Sequence, residues 1–225
     1  LELFIKHPKK RNSMFEQRLT ENAKNILGLL NRVVPENSYL AGGTALALWL
    51  NHRNSYDLDL YSPTEFNVEE VKQKINKEIP NFQLISTSWQ TIQGKSGDTE
   101  LSLFYYPYPL LEEPNKCQGF DISSVEDISA MKLEAITARG LKRDFFDIYK
   151  IMENKSWSLK YILDLNDKKY KRNESFIPHI LRSLVYFDDA EQTSERATEV
   201  EKDWEKIKSY FIDRVLEFSK KTLNQ

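Results

Sequence analysis

The tract Tyr39-Leu40-Ala41-Gly42-Gly43-Thr44-Ala45-Leu46-Ala47-Leu48-Trp49-Leu50, running on through Asn51-His52-Arg53-Asn54-Ser55-Tyr56-Asp57-Leu58-Asp59-Leu60-Tyr61, leaves this chain few ways to fold. It reads as a strand, a glycine turn, one short apolar helix and a second strand. Gly42 and Gly43 permit a positive φ or a close backbone approach. Thr44 stands at the start of the helix, where unpaired N–H groups and the positive dipole end favour an anion. Asp57 and Asp59 are two residues apart on the second strand, so alternation turns both carboxylates to one face.

Two carboxylates held that close repel each other unless a cation lies between them. A hard divalent ion such as Mg²⁺ is the usual resolution, because it prefers carboxylate oxygens. With the glycine turn as a phosphate cradle and the Thr44 hydroxyl as a further donor, the pattern describes a site for a metal-bound nucleoside triphosphate. Taken singly, a Gly-Gly pair is a plain tight turn and Asp-Leu-Asp a solvated strand end. Their spacing, with a helix-length apolar insert between two strands, carries the inference. Gly-Gly-Thr, a short helix ending in His52-Arg53, then Asp57-Leu58-Asp59 resembles the glycine–Ser/Thr…DxD signature of the DNA polymerase beta-like nucleotidyltransferase superfamily. Within it the pattern is most similar to the AbiEii/AbiGii group, the toxin half of bacterial type IV toxin–antitoxin pairs.

The bulk properties are those of an ordinary globular chain: 225 residues, 40% hydrophobic and 29% charged, enough to bury a proper core. A net charge of −2 argues against coating nucleic acid through bulk charge, so any RNA contact must be local. The single cysteine, Cys117, excludes an intramolecular disulfide framework and fits a reducing cytosol. The longest near-apolar run, Leu40 to Leu50, is too short to span a bilayer, and no signal-peptide pattern opens the chain. The expectation is a cytoplasmic protein without membrane contact.

Periodicity predicts an α+β fold, with a polymerase beta-like mixed sheet followed by a helical bundle. Helical spacing runs from Phe15 to Val33 and again from Val68 to Ile79 before Pro80. Strands are expected at 38–41, 56–61, 82–86, 89–93, 100–106 and, briefly, 120–122, with a hairpin turn at Lys95-Ser96-Gly97-Asp98. A sheet of four to six strands with helices on one side follows. Beyond Ser124, a plausible N-cap, helices are expected over 125–139, 143–154, 157–169, 175–187 and 198–220, with an acidic loop at 188–195. The division falls near residue 122, giving a sheet domain over 1–122 and a helical domain over 123–225. Two basic tracts, Lys6–Arg11 and Lys168-Lys169-Tyr170-Lys171-Arg172, read either as solvated segments or as guides for RNA phosphate.

Two helices carry charges where core residues belong. Lys132 and Arg139 fall in the sector set by Ile128, Met131 and Ala135, so each must snorkel or meet a counter-charge. Asp144 projects between Ile148 and Ile151, with Asp147 at the edge of that face. An acidic first turn also suits the helix dipole, and these acids would serve equally as scaffolding partners for Arg139 or Lys142. Lys132-Leu133-Glu134-Ala135…Arg139…Lys142-Arg143-Asp144-Phe145-Phe146-Asp147 is similar to the second AbiEii-like signature, K-x-x-A…R…R-D-x-x-D. The resemblance implies that Lys132 and either Asp144 or Asp147 join Asp57 and Asp59 in catalysis. It also implies that Gly42, Gly43, Thr44, Arg53, Arg139 and Arg143 bind nucleotide, with Asp57 and Asp59 holding Mg²⁺. Where such enzymes commonly place a third metal-binding acid, this chain has Ser102, with Glu100 on the same face.

The implied activity is transfer of a nucleoside monophosphate from a nucleoside triphosphate to an RNA hydroxyl, most plausibly a tRNA 3′ end, by a toxin paired with a cognate antitoxin. Transfer to a small-molecule hydroxyl uses the same cradle. A catalytically degenerate protein-binding module is the alternative from outside enzymology.

Overall fold

The computed structural model describes residues 14–172, 174–192 and 198–223; the basic tract Lys6–Arg11 lies outside them. Its centre is a seven-stranded mixed sheet: β1 (Tyr39–Ala41), β2 (Leu58–Ser62), β3 (Phe82–Ser88), β4 (Thr91–Ser96), β5 (Thr99–Tyr105), β6 (Asn115–Cys117) and β7 (Phe120–Ile122), ordered β3-β4-β5-β2-β1-β7-β6. β1 runs antiparallel to β2 and parallel to β7, while β2 runs parallel to β5. The strand beyond the expected six is β6. It pairs with β7 through Gln118 and Gly119, both at positive φ (50° and 79°), the conformation of a tight primed hairpin turn. Glutamine rarely adopts that conformation, so the hairpin left no turn signal in the sequence.

Between β1 and β2 lies α2 (Gly42–Leu50), whose Ala45, Leu46, Ala47 and Leu48 are all buried. A helix apolar on every side must be covered on every side. Accordingly it packs against the sheet and against two later helices, α4 (Val125–Ala138) and α5 (Lys142–Lys155). Before the sheet, the expected helix over 15–33 is divided. Thr20 caps α1 (Glu21–Leu29) by accepting from Ala23 N at 3.1 Å, and short 3-10 turns flank it at Glu16–Arg18 and Leu30–Arg32. α3 (Val68–Glu78) starts on the side chain of Asn67 and buries Val71 and Ile75.

After Ile122 every described regular element is helical: α4 and α5, then α6 (Leu159–Tyr170), α7 (Ile177–Ser183), α8 (Asp188–Glu191), α9 (Thr198–Lys202) and α10 (Trp204–Leu223). Ser124 caps α4 as expected, with Asp127 N donating to its hydroxyl at 2.9 Å. Three expectations are corrected. The helix expected over 175–187 is regular only over α7, preceded by a 3-10 turn at Glu174–Phe176. The segment expected as an acidic loop contains α8, because Ala190 is drawn into the core. The last helix divides at Asp203 into α9 and α10.

The second basic tract is partly built into the fold. Lys169 is buried and donates to Asp127 Oδ1 at 2.7 Å and to the Pro109 carbonyl at 2.9 Å, so it is unavailable to a ligand. Asp127 also accepts from Leu111 N at 2.9 Å, tying the loop after β5 to the start of α4. No described helix is long and apolar enough to cross a membrane.

Candidate active site

The first turn of α2, the start of β2 and the facing ends of α4 and α5 enclose a cavity of about 600 Å³. Gly42, Gly43, Arg53, Asp57, Asp59, Lys132, Arg139, Arg143 and Asp144 all line it, so residues from both halves of the chain meet there. Both glycines are dictated by what lies against them. Gly42 has φ +70°, and a Cβ on it would stand 2.5 Å from Asp59 Oδ2. A Cβ on Gly43 would stand 2.4 Å from Arg53 Nη2 and 3.0 Å from Ser55 Oγ. The turn is therefore bare so that a carboxylate and a guanidinium can close onto the helix N-terminus.

Thr44 and Asp147 are not brought to the cavity. Thr44 is buried, and its hydroxyl donates to the Asp57 carbonyl at 2.5 Å while contacting Ser55 Oγ at 3.0 Å. Expected as a phosphate donor, it instead pins the loop that delivers Asp57. That loop also moves the strand boundary: β2 begins at Leu58, not at 56, and Asp57 precedes it.

Asp147 lies behind the cavity wall, fully buried, as the hub of an ionic network. Arg53 grips it with two parallel bonds, Nε to Oδ1 at 2.8 Å and Nη2 to Oδ2 at 2.9 Å. Lys132 Nζ bridges Asp147 Oδ2 at 2.7 Å and Asp144 Oδ1 at 2.9 Å. Arg139 Nε reaches Asp144 Oδ2 at 3.2 Å from a half-exposed position. Burial alone would push the Asp147 carboxyl up, but the charges of Arg53 and Lys132, with hydrogen bonds from Arg53 and His52, hold it well below the usual carboxylate range. The same contest leaves Asp144 lowered, through Lys132 and Arg139, and Lys132 raised, through Asp144 and Asp147. Three cations thus face two acids, and the wall carries a surplus positive charge.

His52, at the end of α2, places Nε2 2.9 Å from Asp147 Oδ1. Burial lowers its pKa more than Asp147 raises it, so the ring is neutral; the contact assigns the proton to Nε2 and leaves Nδ1 buried without a partner. A lowered histidine pKa makes folding stability full above the unfolded value, about 6.5, and eroded as pH falls below it. Urea titrations of the wild type should therefore show a midpoint that declines from pH 7 to pH 5, and His52→Gln, which keeps a donor near Nε2, should flatten that decline. An equal slope in both proteins would contradict the assignment.

On the opposite wall, burial pushes the Asp59 carboxyl up and the Asp57 charge adds to it, against Lys132, Arg139 and Arg143. A half-buried acid beside a second acid, both lining a cavity, fits a hard cation. Among the described residues no three His, Cys, Asp or Glu converge on one point. The chain offers two carboxylates there, fewer protein ligands than an all-protein metal cage carries. Ser102 pairs with Asp59 in the sheet register, and Glu100 lines the cavity from β5. Thr198 and Glu199 of α9 also line it, contributions from far along the chain with no motif to announce them.

The family model described as "Nucleotidyl transferase AbiEii toxin, Type IV TA system" matches residues 104–219, which contain Lys132, Arg139, Arg143, Asp144 and Asp147. An uncharacterised protein of Aquifex aeolicus is 35% identical over 207 residues, covering 90% of this chain and 96% of that protein. A candidate nucleotidyltransferase of H. pylori shares the fold at a TM-score of 0.50 and 17% identity, over 88% of this chain and 95% of its own. A further Helicobacter pylori protein, JHP933, does so at 0.50 and 18%, over 94% and 97%.

Proposed function

This chain belongs to the AbiEii nucleotidyltransferase toxin family, and from that premise we propose that it transfers a nucleoside monophosphate from a nucleoside triphosphate to an RNA hydroxyl, with a tRNA 3′ end as the leading acceptor. The observation that carries the reading is one cavity in which Asp57 and Asp59, beside the Gly42 turn, face the cations of Lys132, Arg139 and Arg143. Neither wall makes sense alone: the acids call for a cation, and the basic side calls for an anion. A metal-bound triphosphate is both.

In this reading the N-terminus of α2 and Arg143 receive the terminal phosphates. Arg53 braces that turn from behind and is itself fixed by Asp147. Asp57 and Asp59 would hold Mg²⁺, which supplies Lewis acidity on the transferring phosphoryl group. An acceptor hydroxyl attacks the α-phosphorus in line and pyrophosphate leaves. Lys132, aimed by Asp144 and Asp147, and Arg139 offset the charge that develops. Asp144, at the cavity, is the acid of the second signature nearer the chemistry; Asp147 positions. With the division drawn near residue 122, this reading puts the site between a sheet unit before it and a helical unit after it. A cognate antitoxin and a cytoplasmic location follow from the type IV family and from the need for RNA and nucleotides.

The test is incubation with each nucleoside triphosphate labelled at the α-phosphate, total RNA and Mg²⁺. Label should enter RNA with one or more nucleotides. Label in no RNA, under any nucleotide, overturns the reading.

A further inference from the structure

A second concavity, about 370 Å³, opens where the loop after β5 meets the end of α6, lined by Tyr108, Tyr170, Lys171, Arg172 and Phe176. We propose that it is a base-stacking subsite that holds single-stranded RNA behind the reacting end of the acceptor; the inference rests on the RNA reading above and locates the acceptor's path.

The rings are locked edge to face. Tyr106 meets Tyr108 at 5.0 Å and 64°, and Tyr108 meets Tyr170 at 4.7 Å and 74°. The hydroxyls of Tyr106 and Tyr170 bond to each other, and Lys169 stands 5.8 Å from the Tyr106 ring, so the cluster is held from within. Tyr108 nonetheless remains 39% exposed. Arg172 lays its guanidinium 4.0 Å from the Phe176 centroid and is tethered by an ion pair to Glu134. Lys171 caps α6 at φ +51°, a conformation lysine seldom adopts, with its side chain exposed.

Fixed rings and a planar guanidinium beside an exposed lysine suit a nucleobase with its phosphate. An apolar ligand would need no cations, and an acidic peptide would need no aromatic platform. In a chain of net charge −2, RNA affinity must come from such local sites. The subsite is a separate opening whose wall is packed against that of the catalytic cavity. Tyr61 lines that cavity and packs edge-on against Tyr106 at 5.1 Å. Two ring-to-ring steps therefore join the walls of the two openings, and Glu134, which fixes Arg172, lies two residues from Lys132 on α4.

The experiment is fluorescence anisotropy with a short labelled oligoadenylate or oligouridylate and no nucleotide, followed by steady-state transfer kinetics. Tyr108→Ala should weaken oligonucleotide binding by about 10- to 100-fold, raise KM for RNA and leave nucleotide affinity unchanged. Tyr108→Phe should bind as the wild type does, and Lys171→Gln should reduce the salt dependence of binding. The subsite is overturned if Tyr108→Ala binds RNA normally, if wild type binds neither oligonucleotide, or if Tyr108→Ala loses nucleotide and RNA affinity equally. Transfer to RNA with a KM indifferent to Tyr108→Ala sinks the subsite alone; tight, Tyr108-dependent binding without transfer supports the subsite and sinks the transferase reading.

Discussion

Asp59→Asn is expected to cut nucleotide transfer by about 10²- to 10³-fold while leaving the melting temperature equal to or above that of the wild type. The two effects have one cause. Asp59 is pushed toward its neutral form by burial and by Asp57, so in the absence of ligand its charge is a cost to the fold. Asparagine fills the same volume against Gly42, where the carboxylate now sits, and removes that cost. It also removes half of the anionic oxygen pair facing the triphosphate, and an amide is a poor ligand for Mg²⁺ beside a carboxylate. Asp57→Asn should behave alike in activity. Transfer rates and thermal melts on the same preparations check the prediction; activity within tenfold of wild type would remove Asp59 from the chemistry, and a large drop in melting temperature would make it scaffolding instead.

The elements that position this site were legible because each leaves a periodic mark. The Gly-Gly turn, the all-apolar α2 and the DLD spacing gave β1, α2 and β2, and the charges set into apolar faces pointed to Lys132, Asp144 and Asp147 as residues needing partners. What periodicity could not separate was partner from ligand. Thr44 occupies the position of a phosphate donor, yet its hydroxyl is taken by the Asp57 carbonyl, a contact set by the path of the intervening loop. Asp147 and Asp144 lie on one helix face three residues apart, and only the placement of Arg53 and His52, from the other half of the chain, puts one behind the wall and the other on it. Glu199 and Thr198 reach the cavity through tertiary packing of α9, which no local pattern encodes. Lys169 looked like part of a basic patch because charge in a sequence does not reveal a buried counter-charge, here Asp127.

Asp147→Ala should destabilise the fold by about 3–5 kcal/mol, a fall of roughly 6–20 °C in melting temperature for a chain of this size. Asp147 is wholly buried and answers three groups at once, so its loss takes the bidentate partner from buried Arg53, one of two carboxylates from buried Lys132 and the acceptor from the neutral His52. Asp144→Ala makes the instructive contrast. Lys132 would keep Asp147, and Arg139, with 54% of its side chain exposed, can turn to water, so stability falls less while transfer falls more. The acid limb supplies an independent check. A carboxyl held below its ordinary pKa contributes stability that is complete above the unfolded value, about 4, and is lost as pH falls through the folded one. Wild-type stability should therefore drop steeply below about pH 4, and that limb should be shallower in Asp147→Ala. A melting temperature within about 2 °C of wild type would mean that Arg53 and Lys132 find other partners. The brace behind the Gly43 turn would then rest on something other than this carboxylate.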